Sequence, residues 1–135
     1  MNAVLAIAAS GMATASLRLN VSASNVANIS TTGPLPDTNT SGTTEFPAAY
    51  SPLRVDQIDV AGGTAATVTT VSPSYVPMYD PGAPYADKNG MVAAPNVDLA
   101  NEVVQQIIAS YMFAANATVM KIGSQMTSTL LNIAV

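Results

Sequence analysis

Apolar residues at both ends of the chain recur at alternating spacings of three and four, and this constrains the fold more than any other feature. In residues 3–29, Leu5, Met12, Leu19 and Val26 form one row, and Ala8, Ala15, Ser22 and Ile29 form its companion. That spacing is the seam of a coiled coil. One row is large and the other mostly small, so a partner helix can approach closely. Gly11 interrupts the segment at a cost of about 1 kcal/mol relative to Ala. Thr31, Thr32, Gly33 and Pro34 end it. In residues 98–133, Ile108, Met112, Ala115, Val119, Ile122, Met126, Thr129 and Ile133 repeat the alternation. A second row, Val103, Ile107, Tyr111 and Ala114, widens the apolar face beyond what one neighbour covers. Pro95 precedes this segment. Asp98 is placed as its N-cap, and Glu102 lies near its first turn, where negative charge is favoured.

The middle follows other rules. Leu53 to Val60 alternates like a strand, Gly62 and Gly63 make a turn, and Thr64 to Val71 is rich in β-branched residues. Together they predict one β-hairpin. Residues 30–52 have the composition of a mobile loop. Residues 73–97 carry Pro73, Pro77, Pro81, Pro84 and Pro95. Proline fixes φ and removes a donor, so this stretch is expected to be extended and irregular.

The expected fold is therefore mainly α with a small β insert. The N- and C-terminal helices form a coiled-coil core, with a β-hairpin and an irregular Pro-rich segment between them. In domain terms, residues 1–30 and 98–135 make one core domain and residues 31–97 an outer insert. A single antiparallel pair of such helices leaves apolar rows uncovered, and exposed stripes mark contact surfaces. A subunit that completes its core by polymerising accounts for this pattern.

Composition narrows the functions. Of 135 residues, 9% are charged, against roughly 25% in a usual soluble domain. The four basic residues are scattered and the net charge is −4. No basic patch follows a nucleic-acid backbone or an anionic membrane. There is no Cys and no His, which removes thiolate sites and the commonest general base and metal ligand. Lys121 lies one turn from Ser124, but no second group completes a nucleophilic site. Asp80, Asp87 and Asn89 lack the closing Glu of a calcium loop and read as turn residues. No catalytic, cofactor or metal site is expected. Met1 to Leu17 has no basic residue to open a signal peptide. Val103 to Met120 contains Gln105, Gln106, Ser110, Asn116 and Thr118, which would be costly in lipid. No membrane span is expected.

Two motifs carry a resemblance. Ser10-Gly11-Met12, then Arg18-Leu19, then Ala23-Ser24-Asn25-Val26-Ala27-Asn28 is similar to the N-terminal signature shared by flagellar axial proteins of the rod, hook and hook-associated kinds. Asp80-Pro81-Gly82-Ala83-Pro84-Tyr85, Gly90-Met91-Val92 and Pro95-Asn96-Val97 resemble the segment before the C-terminal helix in the FlgC family of proximal-rod proteins. Phe113-Ala114-Ala115-Asn116 and Leu130-Leu131-Asn132-Ile133 fit the same family. The chain departs from it at Tyr111, where Arg is frequent, and at Ala114, where Gln or Glu is frequent. The apolar seam is undisturbed by these changes.

The resemblance implies a structural subunit of the rod that transmits torque across the periplasm. It implies self-association and contacts with other rod proteins and with the basal-body base, meaning the MS ring and its adaptor. It also implies passage through the flagellar type III export apparatus without signal cleavage. The expected assembly interface is Leu5, Met12, Leu19, Val26, Ile29, Ile108, Met112, Val119, Ile122, Met126 and Ile133. Asn25 and Asn28 either bond between subunits or end a helix. Rival readings are a distal-rod or hook-type axial protein, or a secreted binding module that uses residues 30–97.

Overall fold

The computed structural model describes residues 2–36 and 46–133. Both periodic segments are helices: α1 spans Asn2–Ala27 and α2 spans Leu99–Ile133. Asp98 caps α2, its Oδ1 accepting from Ala100 N at 2.9 Å and Asn101 N at 3.4 Å. These amides have no carbonyl partner within the first turn. At the end of α1, Asn28 Nδ2 donates to Ser24 O at 2.9 Å and so satisfies a terminal carbonyl.

The helices run antiparallel. Leu5 lies against Gly123, Gly11 against Asn116, Arg18 beside Gln105 and Ser22 beside Glu102. With 35 residues against 26, α2 outruns its partner. Residues 124–133 extend roughly 15 Å of helix beyond the Leu5–Gly123 contact.

The expected hairpin is present. Strand β1 is Leu53–Val60 and strand β2 is Gly63–Thr70, antiparallel, with Val60 opposite Gly63 and Leu53 opposite Thr70. Gly62 and Gly63 have φ of +93° and +144°, values that residues with a side chain avoid. The hairpin lies along α1. Leu53 bonds to Asn25 at one end, and Thr64 N donates to Ser10 Oγ at the other. Eight residues of strand span roughly 26 Å, close to the roughly 22 Å that a helix rises between Ser10 and Asn25.

The Pro-rich stretch differs from expectation. Instead of remaining irregular, it forms a second antiparallel hairpin from β3, Tyr75–Tyr79, and β4, Met91–Pro95. Pro77 stands opposite Ala93. The N and O of Ala93 both bond to Gly33 on the far side of β4, at 2.8 and 3.0 Å. No ladder bond is asked of Pro77, so its missing N–H costs nothing there. Val92, Ala93, Ala94 and Pro95 are buried. Of the expected mobile loop, the flanks are held: Gly33 bridges to Ala93, Phe46 packs on Tyr85 with ring centroids 5.5 Å apart, and Tyr50 bonds to Asn25. Residues 37–45 of that loop lie outside the described residues.

Both helices are long and apolar enough to cross a membrane by length and composition. Yet the buried apolar residues are small: Ala8, Ala15, Val21, Val92, Ala93, Ala94 and Ala109. Many of the large aliphatic side chains, Leu19, Ile108, Val119, Ile122 and Met126 among them, are exposed.

Candidate assembly interface

The inner seam of the helix pair is built from small and polar residues. On α1 the buried residues are Ala8, Gly11, Thr14, Ala15, Val21, Ser22 and Asn25. On α2, Glu102, Ala109, Asn116 and Gly123 fall on one stripe at heptad spacing. A Cβ on Gly11 would sit 2.6 Å from Asn116 Oδ1, so with glycine there the Asn116 amide packs directly onto the α1 backbone. Ser22 Oγ donates to Glu102 O at 3.0 Å, and Arg18 Nη1 to Gln105 Oε1 at 2.9 Å.

Asn25 fastens three elements together. It is 1% exposed. Its Nδ2 donates to Leu53 O at 2.8 Å and Glu102 Oε1 at 2.6 Å. Its Oδ1 accepts from Leu53 N at 3.0 Å and Tyr50 OH at 3.1 Å. An amide side chain has two donors and two acceptor sites, and all four are used. Every donor and acceptor of the Asn25 amide is thus used within the subunit. Asn28 Nδ2 donates to Ser24 O at the end of α1.

Most of the other motif residues also serve the subunit's own fold. Ser10 receives Thr64 N at 3.1 Å. Pro81 lies against Gly90, and Asp80 Oδ1 accepts from Gly82 N at 3.3 Å. Asn96 Nδ2 donates to Pro73 O at 2.9 Å. Asn116 Nδ2 donates to Met112 O at 2.8 Å while its amide covers Gly11. Asp87 Oδ1 accepts from Met91 N and Asn89 N, both at 2.8 Å. The Met91 amide, foremost, holds this carboxyl below its ordinary value of 3.8, with some opposition from desolvation and added help from Asn89.

The large rows point elsewhere. On α1, Leu19 is exposed, while Leu5, Met12, Val26 and Ile29 are half-buried. On α2, only Met112 of the expected interface residues is half-buried. Ile108, Val119, Ile122, Met126 and Ile133 are exposed, rising to 75% at Ile133. The outer faces thus carry what a helix normally hides. The accessible surface is 8721 Å², against about 6,600 Å² for a typical monomer of this mass. Sequence reasoning passed over Tyr50, Gln105, Ala109 and Gly123. The stripe 102–109–116–123 was the available signal, masked because its members are polar or small.

Similarity to known proteins decides the family. The family described as "Flagella basal body rod protein" matches residues 5–34, and that described as "Flagellar basal body rod FlgEFG protein C-terminal" matches residues 88–133. The flagellar basal-body rod protein FlgC of Salmonella typhimurium is 39% identical over 132 residues, covering 92% of this chain and 91% of its own. The chain belongs to the FlgC family of flagellar basal-body rod proteins. FlgC of Borreliella burgdorferi is 31% identical over 140 residues, covering 89% and 88%. FlgC of Agrobacterium fabrum is 31% identical over 129 residues, covering 90% and 86%. As a FlgC-family member the chain is a structural subunit of the rod and not an enzyme. Its two family matches cover most of α1 with the segment that follows it, and β4 together with α2.

Proposed function

We propose that the chain polymerises through the outward rows of α1 and α2, packing against neighbouring rod subunits in coiled-coil fashion and transmitting torque across the periplasm. In this reading residues 1–30 and 98–135 form the core domain of the assembled rod, and residues 31–97 an outer insert. Its neighbours are other copies and other rod proteins, with the MS ring and its adaptor at the base. It reaches them through the flagellar type III apparatus without losing a signal peptide, and neither helix spans the membrane.

One observation carries the reading. The helix pair seals its inner seam with Ala, Gly, Ser and Asn, and leaves Leu19, Ile108, Val119, Ile122 and Met126 exposed. Apolar burial is worth roughly 25 cal/mol per Å², so those faces favour a partner. Torque is resisted because many knobs must leave their holes together. The pairing of α1 with α2 consumes Arg18, Ser22 and Asn25 inside the chain, which suits a protein helix and not a lipid-facing one.

The test is mass spectrometry of purified hook–basal bodies. Several copies per particle are expected. Absence from the particle, with the chain free in the medium, would favour the secreted binding module instead.

A further inference from the structure

Strand β3 reads Tyr75-Val76-Pro77-Met78-Tyr79, nearly the same in either direction. An aromatic stands at each end, an aliphatic inside each aromatic, and proline at the centre. The strand has no charge, and Val76, Met78 and Tyr79 are exposed, Tyr79 at 69%. An uncharged, exposed strand of this kind pairs readily with another chain. The hydrogen bonds show which side of β3 is open. Ala93 turns its N and O to Gly33, and Met91 turns its N to Asp87 Oδ1 and its O to Asp87 N. Facing residues of an antiparallel pair alternate between bonded and unbonded. Val76 and Met78 therefore hold the ladder, opposite Ala94 and Val92. Tyr75, Pro77 and Tyr79 send their backbone groups to the other side, where no strand pairs among the described residues. Tyr75 and Tyr79 each offer a donor and an acceptor there, and Pro77 an acceptor alone. The first hairpin treats its edges differently. Leu53 N and O bond to Asn25, Thr64 N bonds to Ser10, and β1 carries Arg54, Asp56 and Asp59.

We propose that the open edge of β3 fits the same edge of a second copy of this chain, and that Pro77 keeps the two from pairing. A two-fold axis through residue 77 sets Tyr75 of one copy against Tyr79 of the other, and Val76 against Met78, in antiparallel register. The residues whose N and O face outward, 75, 77 and 79, are the ones such a ladder uses. At its centre the ladder needs an N–H from residue 77 of each copy. Proline has none, and its ring occupies the place of the missing hydrogen. Both central bonds are lost and two rings meet at the axis, so the edge stays unpaired. The contact that Pro77 forbids is isologous and closes as a dimer, whereas a rod needs heterologous contacts that stay open. Pro77 thereby leaves association to the helices. The inference concerns the free chain and does not depend on the rod reading.

The test is Pro77→Thr in the full purified chain. Parent and variant both carry Leu19→Asp and Ile122→Asp, so that the helix rows do not contribute. The added N–H faces away from β4, so far-UV dichroism and the melt should stay as in the parent. By light scattering the parent should have the mass of one subunit and Pro77→Thr twice that mass. The Tyr75 and Tyr79 amides of the variant should exchange slower by roughly tenfold or more, as amides entering a ladder do. Pro77→Ala adds the same donor without the strand preference of Thr, and should dimerise more weakly. A Pro77→Thr chain that keeps the mass of one subunit would overturn the proposal. So would a doubled mass with Tyr75 and Tyr79 exchange unchanged, or a parent already paired through those amides. Unfolding of both variants would show that residue 77 does not face outward, and would overturn it as well.

Discussion

Asn25→Ala removes four hydrogen bonds from a side chain that is 1% exposed. The cost is set by what is left behind. Tyr50 OH keeps its bond with Ser24 Oγ at 3.1 Å, and Glu102 lines an open cleft where water reaches it. Leu53 N and O, where β1 begins, each lose their bond to this side chain. Two orphaned backbone groups cost about 1–3 kcal/mol each, so about 4 kcal/mol in all. That is a large part of the roughly 5–15 kcal/mol that holds a domain folded. For a chain of this size it lowers the melting temperature by on the order of 15 °C. Thermal unfolding followed by far-UV dichroism measures the loss, and hydrogen exchange at the Leu53 amide locates it. Asn25→Asp sharpens the test. The new carboxylate cannot donate to Leu53 O and faces Glu102, so its folded-state pKa is raised above its unfolded value. A raised pKa means stability that is present at acid pH and lost as pH rises, so this variant should recover on acidification. If Asn25→Ala melts within about 2 °C of the parent, a shift that corresponds to under 1 kcal/mol, and Leu53 exchange is unchanged, Asn25 is not the fastener.

Three further outcomes are expected. Gly11→Ala pushes a methyl into the Asn116 amide and should cost about 1–2 kcal/mol; adding Asn116→Ala should recover most of it in the same melt. Asp87, held below its ordinary value by the Met91 amide, stabilises the turn between β3 and β4 above the unfolded carboxyl range. That contribution fades as pH falls through the depressed value, so the Asn89 and Met91 amides should exchange faster in acid, and Asp87→Asn should blunt the change. Leu19→Asp and Ile122→Asp should leave the free chain's melt within about 0.5 kcal/mol, as surface changes do, yet abolish swimming and incorporation into basal bodies.

Much of this fold is legible because it is local. The alternation of three and four, the Asp98 cap and the Gly62-Gly63 turn each depend on neighbours within one or two turns of chain. The second hairpin was hidden because what excuses Pro77 is remote: Ala93 turns its N and O to Gly33, far away in sequence. The inner seam was hidden for a different reason. Periodicity draws the eye to large side chains, but close helix approach is bought with Gly11, Ala109 and Gly123, and the large rows are thereby left outside. Asn25 read as a helix-end or inter-subunit residue because Tyr50, Leu53 and Glu102 meet it only in three dimensions.

The central claim is that the outward rows of α2 are covered in the rod. Hydrogen–deuterium exchange on intact basal bodies and on the free chain measures this directly. Assembly should strongly protect the backbone of residues 119–133 and leave the β1–β2 hairpin amides little changed. Equal exchange of residues 119–133 in both states, with protection gained on the hairpin instead, would move the interface away from the helices and contradict the claim.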